Sequence, residues 1–484
     1  MKIYLKNTLT GEKEEFQSIR DREVSMYHCG PTVYARQHIG NLKAYVFADL
    51  LRRLFEFNNY KINQVINITD VGHLTSDSDS GDDKIEKAAE NEVLKKHNLN
   101  TSEKLGESET KEVQKLKKNI ATEIAEKYTN IFFTDIEKMN IEKSKITFPK
   151  ATDHIAEQLD LIKILNEKGF VYKTSDGLYF NTSKFDKYGV LGNVQIDKLK
   201  EGARIGINKE KKNPTDFALW KFSKPEDARA QEWDSDWGVG FPGWHLECSA
   251  MSAKFLGQPF DIHTGGIDHI QIHHNNEIAQ SEAAHNEHQA NYWMHVNHLI
   301  LDGEKISKSL GNGLFLEDLE KEHISPAEYR YWLLTSHYST LINFTWDAVK
   351  GSATAFNKLI NHFKKVSVGE INKDYLEKIT EKLNDDLDTP GAIALIWEMM
   401  KDDDFNDSDK LATILETDKV LGLNIIKLLN TEIEIPKEVM ELVNKRKEAR
   451  INKNFQESDE IRDQISKLGY EILDKGEEFE VREK

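Results

Sequence analysis

The chain has 484 residues, a length that corresponds to about three domains of ordinary size. Hydrophobic residues at 38% and aromatic residues at 9% argue against wholesale disorder, and the net charge of −18 excludes a globally basic nucleic-acid-binding protein. Two cysteines exclude a disulfide framework, and no apolar run reaches the roughly 18 to 20 residues that span a bilayer, so we expect a soluble cytoplasmic protein without membrane contact.

The first part of the chain predicts a strand–helix–strand unit. An apolar-rich run at 24–29 ends at Gly30-Pro31, and apolar residues recur at helical spacing over 42–57. Residues 61–68 favour a second strand, which completes a βαβ unit. The acidic stretch 76–83 lacks the closing Glu of an EF-hand and predicts a surface loop rather than a calcium site.

The remaining chain changes character several times. A charged, mainly helical stretch is followed by turn-rich, strand-like pieces, then by mixed α/β sequence and finally by helices. We predict a Rossmann-type α/β domain split by an insertion, an all-α bundle and a small C-terminal module. The predicted boundaries are 1–145 (first half), 146–215 (insertion), 216–300 (second half), 301–345 (lysine–serine loop and its surroundings), 346–435 (bundle) and 436–484 (C-terminal module).

Residues 30–41 follow the first strand and open the first helix. A helix N-terminus offers unpaired N–H groups and the positive end of the dipole, which favour a polyphosphate. Gly40 lets a flat ligand approach the backbone closely. His38 and Asn41 lie three residues apart, so both side chains can face one bound group. By itself this pattern is also compatible with an ordinary strand–turn–helix corner.

Residues 303–313 contain two lysines, Lys305 and Lys308, two serines and flanking glycines. Such a cationic, flexible loop can neutralise the charge that develops on leaving pyrophosphate. A solvated charged turn is the alternative. Together, the His-Ile-Gly-Asn turn and the Lys-Ile-Ser-Lys-Ser loop resemble the two signature motifs of class I aminoacyl-tRNA synthetases, with Asn41 and Ile306 as departures.

Four residues form a candidate metal site. Cys29 and Cys248 are the two cysteines of the chain, and His273 and Glu277 lie four apart on one face of an expected helix. Two thiolates, an imidazole and a carboxylate suit tetrahedral Zn²⁺. Buried, inert cysteines beside a core histidine are the alternative.

The sequence segments around these residues resemble those of cysteinyl-tRNA synthetases, and the resemblance extends over nearly the whole chain. They read Tyr-His-Cys-Gly-Pro-Thr at 27–32, Gly-Trp-His-Leu-Glu-Cys-Ser at 243–249, Asp-Ile-His-Thr-Gly-Gly-Ile-Asp at 261–268 and His-His-Asn-Asn-Glu at 273–277. The resemblance implies that one Zn²⁺ is held by Cys29, Cys248, His273 and Glu277, that Thr32, Trp244 and His245 contact the substrate cysteine, and that Gly265, Gly266 and Asp268, with Lys308, contact ATP.

The family resemblance also implies the reaction and its partners. Cysteine and ATP, with Mg²⁺ assisting, would form cysteinyl-adenylate, and the cysteinyl group would pass to tRNA-Cys. His38 and Asn41 would hold the phosphates, and Lys305 and Lys308 would stabilise the transition state. Zn²⁺ binds thiolate well and serine's harder hydroxyl poorly, so a substrate thiolate entering as an added ligand would make an editing domain unnecessary.

The resemblance has local departures. Thr264 replaces a glycine usual in the family, and the Asn-Ile-Thr-Asp of 67–70 is separated from Asp-Asp-Lys by the acidic loop, whose role stays open. The basic stretch 445–453 matches the family's anticodon-side module, and Phe479 stands where a Trp would stack on an anticodon base. A monomer is the family expectation.

Three other functions are compatible with parts of the sequence. A ligase that joins cysteine to an amino-sugar would share the adenylation and zinc motifs but needs no helical bundle or C-terminal module. A non-catalytic zinc-bearing RNA-binding protein would not require His38, Lys305 and Lys308. A zinc hydrolase is disfavoured because no His-Glu-x-x-His helix is present.

Overall fold

The computed structural model describes residues 1–71, 85–89, 107–193, 209–224, 229–305, 313–431, 436–475 and 478–483. They form two compact units, Met1–Ile425 and Ile426–Lys484. Among the described residues, no helix is both long enough and apolar enough to cross a membrane.

The strands of the protein are β1 (Tyr4–Lys6), β2 (Lys13–Glu15), β3 (Glu23–His28), β4 (Lys61–Ile66), β5 (Val171–Lys173), β6 (Gly177–Phe180), β7 (Phe217–Phe222), β8 (Gly240–Pro242), β9 (Phe260–Gly266), β10 (Ala290–Val296), β11 (Leu299–Leu301), β12 (Glu304–Lys305), β13 (Ile342–Phe344), β14 (Tyr470–Lys475) and β15 (Glu478–Glu483).

The longer helices are α1 (Ile39–Phe57), α2 (Glu107–Lys138), α3 (Ile155–Glu167), α4 (Trp244–Leu256), α5 (His273–His285), α6 (Leu316–Lys321), α7 (Pro326–Leu334), α8 (Trp346–Phe363), α9 (Lys373–Asn384), α10 (Thr389–Met400), α11 (Asp407–Leu421), α12 (Ile425–Asn430), α13 (Lys437–Ile451) and α14 (Phe455–Lys467).

A four-stranded parallel sheet, in the order β10-β9-β3-β4, forms the centre of the first unit. Its strands are rich in apolar residues because both faces are covered, and Met26, Ile262 and Met294 have no exposed surface. The helix α1 connects β3 to β4, and α5 connects β9 to β10. This arrangement confirms the predicted Rossmann-type fold. Its carboxyl edge is where ligands bind in such sheets.

The predicted elements of the first βαβ unit are confirmed, with small shifts at their ends. The helix α1 begins at Ile39, before the predicted start at 42, because His38 caps it. The strand β4 ends at Ile66 rather than at 68. Beyond this unit, β5, β6, β7 and β8 pair in that order as one antiparallel sheet, so strands from both sides of residue 215 share it.

The four helices α8, α9, α10 and α11 follow without a strand among the described residues of 346–431, as predicted for the bundle. Each begins at a residue whose side chain accepts a hydrogen bond from the first turn: Thr345, Asn372, Asp388 and Asn406. These caps satisfy N–H groups that a helix start leaves unpaired. The last of the helices ends at Gly422, in the left-handed region at φ 66°.

The second unit consists of α13, α14 and the hairpin of β14 and β15. Its core is formed by Val439, Val443, Ile461, Ile465 and Ile472. Small apolar residues spaced three or four apart on each helix supply this core, which explains why so charged a segment folds.

Candidate functional site

A cavity of 650 Å³ opens at the carboxyl edge of the parallel sheet. Residues that directly follow three of the strands line it, together with the first turns of α1, α4 and α5. The cavity brings together eleven of the residues singled out in the sequence: Cys29, Thr32, His38, Gly40, Asn41, Trp244, Cys248, Gly265, Gly266, Asp268 and His273.

The remaining singled-out residues lie elsewhere. Glu277 and His245 are buried behind the cavity wall and are 0% and 1% exposed. The backbone of Lys305 forms the end of β12, while its side chain and the whole of Lys308 lie outside the described residues. The acidic loop also lies outside them, so its predicted surface position stays a prediction.

His38 caps α1, and its side chain and that of Asn41 are bonded reciprocally to the backbone. The Asn41 N–H donates to His38 Nδ1, and the His38 N–H donates to Asn41 Oδ1, both at 3.2 Å. Because Nδ1 accepts, the neutral imidazole of His38 carries its proton on Nε2. In the same way, the Asn41 amide presents its NH₂ group as a donor. The Ile39 N–H donates to the carbonyl oxygen of Leu314 at 2.9 Å, so the first turn already pairs the N–H groups of Ile39 and Asn41.

Gly40 has a geometric role in this capping. A Cβ at this position would lie 3.1 Å from both Cε1 and Nδ1 of His38, so any side chain would push the capping ring aside. The glycine thereby lets the imidazole stay against the helix start, and it adds no side chain to the cavity wall.

The candidate metal ligands Cys29, Cys248, His273 and Glu277 converge, with ligand atoms within 4.8 Å of one another. Cys29 follows β3, Cys248 lies on α4, and the other two lie one turn apart on α5. Nε2 of His273 is buried, lacks a hydrogen-bond partner and lies 3.1 Å from Glu277 Oε1. An orphaned imidazole nitrogen beside two thiols and a carboxylate fits a zinc ion.

A second donor set shares two of these residues and consists of Cys29, His263, His274 and Glu277. The two sets differ in access. Cys248 and His273 line the cavity, whereas His263 and His274 do not and are 0% exposed. Of the residues that distinguish the two sets, Cys248 and His273 therefore face the cavity, while His263 and His274 do not.

Glu277 is oriented by two residues that the sequence analysis missed. Its Oε2 lies 2.9 Å from His263 Nε2 and 3.3 Å from Gln289 Nε2, which leaves Oε1 toward Cys29 and His273. Burial raises the pKa of Glu277, but the charge and hydrogen bond of His263 oppose this and the net pKa is lowered. The carboxylate is thus ionised and aimed at the thiols. The only available sequence signal was the density of histidines in 263–298.

The two thiols differ in acidity. A hydrogen bond with Cys29 lowers the pKa of Cys248 to about 6, while burial raises the pKa of Cys29. Burial alone would lower the pKa of His273, yet the adjacent Cys248 thiol and Glu277 carboxylate raise it to about 10. A metal ion held by both residues would require a deprotonated Cys248 and a neutral His273.

The three residues implied to contact the amino acid lie in two different places. Trp244 and Thr32 line the cavity, and the Trp244 ring centroid lies 4.4 Å from that of His273. His245 is not among the lining residues; it also packs against His273, and the Nδ1 atoms of the two rings are 2.8 Å apart. Its observed contact is therefore with a candidate ligand rather than with the cavity.

The residues of the predicted nucleotide turn lie at and just after the end of β9. Gly265, Gly266 and Asp268 line the cavity, and a Cβ at Gly265 would lie 2.6 Å from His269 Nδ1. Thr264, the departure from the family pattern, points its hydroxyl at His28, with Oγ1 2.6 Å from Nδ1. Thr264 and His28 both line the cavity, and this hydrogen bond joins them there.

The second unit carries the predicted basic stretch on α13. Lys445, Lys447 and Arg450 are exposed there, whereas Arg446 is buried. Phe479 is half-buried against the unit's core, and its ring centroid lies 5.6 Å from Lys447 Nζ. The predicted base-stacking role of this phenylalanine stays a prediction.

Comparison with known proteins decides the family. The model of the tRNA synthetases class I (C) catalytic domain matches residues 15–354. A protein named cysteine–tRNA ligase 1 from Burkholderia lata is 42% identical over 98% of this chain and 95% of its own length. A cysteine–tRNA ligase from Treponema denticola is 40% identical over 98% of both chains. The chain belongs to the cysteine–tRNA ligase family.

A solved structure agrees with this cysteine–tRNA ligase fold. The methionyl-tRNA synthetase of Mycobacterium tuberculosis bound by methionyl-adenylate matches with a TM-score of 0.52 at 12% identity, over 84% of this chain and 90% of that chain. The likeness shows the class I synthetase fold. The curated cysteine–tRNA ligases match over nearly their whole length, including the helical region and C-terminal unit.

Proposed function

We propose that the protein activates L-cysteine with ATP, transfers it to tRNA-Cys and selects it over serine with a Zn²⁺ ion held by Cys29, Cys248, His273 and Glu277. The observation that carries this proposal is the shared cavity. Three of these ligands and the capped start of α1 line one space of 650 Å³. Sulfur recognition and phosphate binding would therefore act on a single bound amino acid and nucleotide.

The metal would supply an affinity for thiolate that a hydroxyl cannot match. The chain's own residues prepare the site for it. The pair of His263 and Gln289 orients the Glu277 carboxylate, and Trp244 covers the His273 side of the cavity. The sulfur of the substrate would enter on the side where Cys248 and His273 are open to the cavity, which fixes the amino acid by its side chain.

The nucleotide would lie along the α1 start and the β9 end. His38 Nε2–H and the Asn41 NH₂ group would donate to its phosphates, where the positive end of the helix dipole adds to the attraction. Gly265 and Gly266 would admit the adenosine. ATP would arrive with Mg²⁺, the cysteine carboxylate oxygen would attack the α-phosphorus, and pyrophosphate would leave. Transition-state roles for Lys305 and Lys308 stay predictions.

ATP–pyrophosphate exchange tests the proposal directly. We expect cysteine to drive exchange, with a kcat/KM ratio over serine well above the roughly 10- to 200-fold that an apolar pocket supplies. A chelator should abolish cysteine-dependent exchange, and added Zn²⁺ should restore it. Exchange driven equally by serine, or unchanged after measured removal of the metal, would contradict zinc-based selection.

His38→Ala is expected to lower the kcat of exchange by about 10²- to 10³-fold, because one preorganised donor to the reacting phosphates is lost. The KM for cysteine should change little, since His38 lies at the nucleotide end. His38→Asn keeps a capping side chain and a donor, so its kcat should lie between those of the wild type and His38→Ala. The exposed His323 provides a control, and His323→Ala should match the wild type. Unchanged kcat in His38→Ala would remove this residue from the chemistry.

A further inference from the structure

The roles proposed above do not include Asn67, the first residue after β4. Its side chain is 1% exposed and lines the cavity. Oδ1 accepts a hydrogen bond from the Gly30 N–H at 2.8 Å and lies 3.9 Å from Cys248 Sγ, at the limit of an S–H···O contact. One oxygen atom thus touches both the residue that follows Cys29 and the second cysteine.

This contact requires an unusually close approach of two strand ends. A Cβ on Gly30 would lie 1.5 Å from the backbone oxygen of Asn67, so the approach excludes every other residue at position 30. The close packing fixes the backbone next to Cys29 against the end of β4. The position of the Cys29 sulfur is therefore tied to Asn67.

The orientation of the Asn67 amide is fixed at its other end. Nδ2 donates to Thr69 Oγ1 at 3.0 Å. Thr69 is itself 2% exposed and is held by backbone bonds with Pro31 and Val33, at 3.0 and 3.1 Å. A rotated amide would place its oxygen at Thr69 and its NH₂ group against the Gly30 N–H. The hydrogen bonds therefore define which atom faces the two cysteines.

We propose that Asn67 is a positioning residue that holds the sulfur atoms of Cys29 and Cys248 at the spacing a metal ion requires. This inference rests on the proposed zinc site. Asn67 would act through the hydrogen bond from the Gly30 N–H and through the packing of its amide beside Cys248 Sγ, so that the two sulfurs need little reordering when the ion binds. Residues that orient metal ligands in this way contribute strongly to metal affinity.

Metal affinity of the full-length protein tests this role. Asn67→Ala should raise the Zn²⁺ dissociation constant about 10- to 100-fold, measured by competition with a chromophoric chelator. Asn67→Asp retains an acceptor for the Gly30 N–H and should bind more tightly than the alanine variant. Asn63 lies on the same strand with an exposed side chain, and Asn63→Ala should bind as the wild type does.

The outcomes separate positioning from support of the fold. Should Asn67→Ala not fold, Thr69→Val removes the hydroxyl that accepts from Nδ2, together with its hydrogen bond to Glu247, and should weaken Zn²⁺ binding in the same direction. A lowered unfolding temperature of the metal-free protein with an unchanged dissociation constant would overturn the inference, as would equal losses in the alanine and aspartate variants. Absence of Zn²⁺ binding by the wild type would overturn the proposed site as well, whereas wild-type binding matched by Asn67→Ala would overturn this inference alone.

Discussion

Cys248→Ser is expected to lower cysteine-dependent ATP–pyrophosphate exchange by more than about 100-fold, because loss of a direct metal ligand should exceed the 10- to 100-fold cost of losing an orienting partner. The substitution changes one buried atom from sulfur to oxygen at a position that is 2% exposed, so the helix α4 should remain folded. The hydroxyl stays protonated at neutral pH and is a poor ligand for Zn²⁺.

The same variant distinguishes the two overlapping donor sets. Metal content measured by atomic absorption should fall along with exchange if Cys248 is a ligand. Met251→Leu controls for disturbance of α4, because it is a volume-conserving change at a fully buried position of the same helix. Its metal content and its exchange rate should both stay near those of the wild type. A Cys248→Ser protein with full metal content would instead assign the ion to the set that contains His263 and His274.

The sequence predicted the features of the site that local periodicity or motifs shared with the family could reveal. Periodicity predicted the βαβ unit, and the placement of Cys29 at a strand end and of Gly40 at the first helix start follows from it. The convergence of Cys29, Cys248 and His273 came only with the family resemblance, because residues from β3, α4 and α5 meet through tertiary packing. No spacing in the chain encodes that meeting.

Other features could not be predicted because they depend on which side chain fills the space behind another. His245 stands beside Trp244 in the sequence, yet its ring faces His273 on the buried side of the helix start. The His263 contact with Glu277 and the Asn67 contact with the Gly30 N–H likewise join separate elements. In the second unit, Phe479 packs against the core of α13 and α14, which sequence position alone did not reveal.

A buried charge cluster, equally absent from the sequence analysis, joins α1 to the helical region. Asp49 and Arg330 are 0% exposed, and Asp49 Oδ2 lies 2.7 Å from Arg330 NH2 and 2.7 Å from Arg53 Nε. Asp49 Oδ1 also pairs with the fully buried Arg52. Arg330 donates further to the carbonyl oxygens of Met139 and Leu421. One carboxylate therefore pairs with three guanidinium groups, and the cluster joins four segments of the chain.

Asp49→Ala is expected to lower the free energy of unfolding of the Met1–Ile425 unit by about 3 to 5 kcal/mol, since it leaves buried guanidinium groups without their shared anion. Urea denaturation measures the change. Glu56→Ala provides the control, because Glu56 also pairs with Arg52 on α1 but is 33% exposed, and its loss should cost less than about 1 kcal/mol.

The pH dependence of this difference gives an independent test of the cluster. Burial raises the pKa of Asp49, but the charges of Arg330, Arg53 and Arg52 outweigh it, so the folded pKa lies below the ordinary value of 3.8. A carboxyl whose pKa is lower in the folded state stabilises it fully above the unfolded pKa. The gap between wild type and Asp49→Ala should therefore be constant near neutral pH and shrink as pH falls through the folded pKa. A gap below 1 kcal/mol at neutral pH would show that the arginines find other partners.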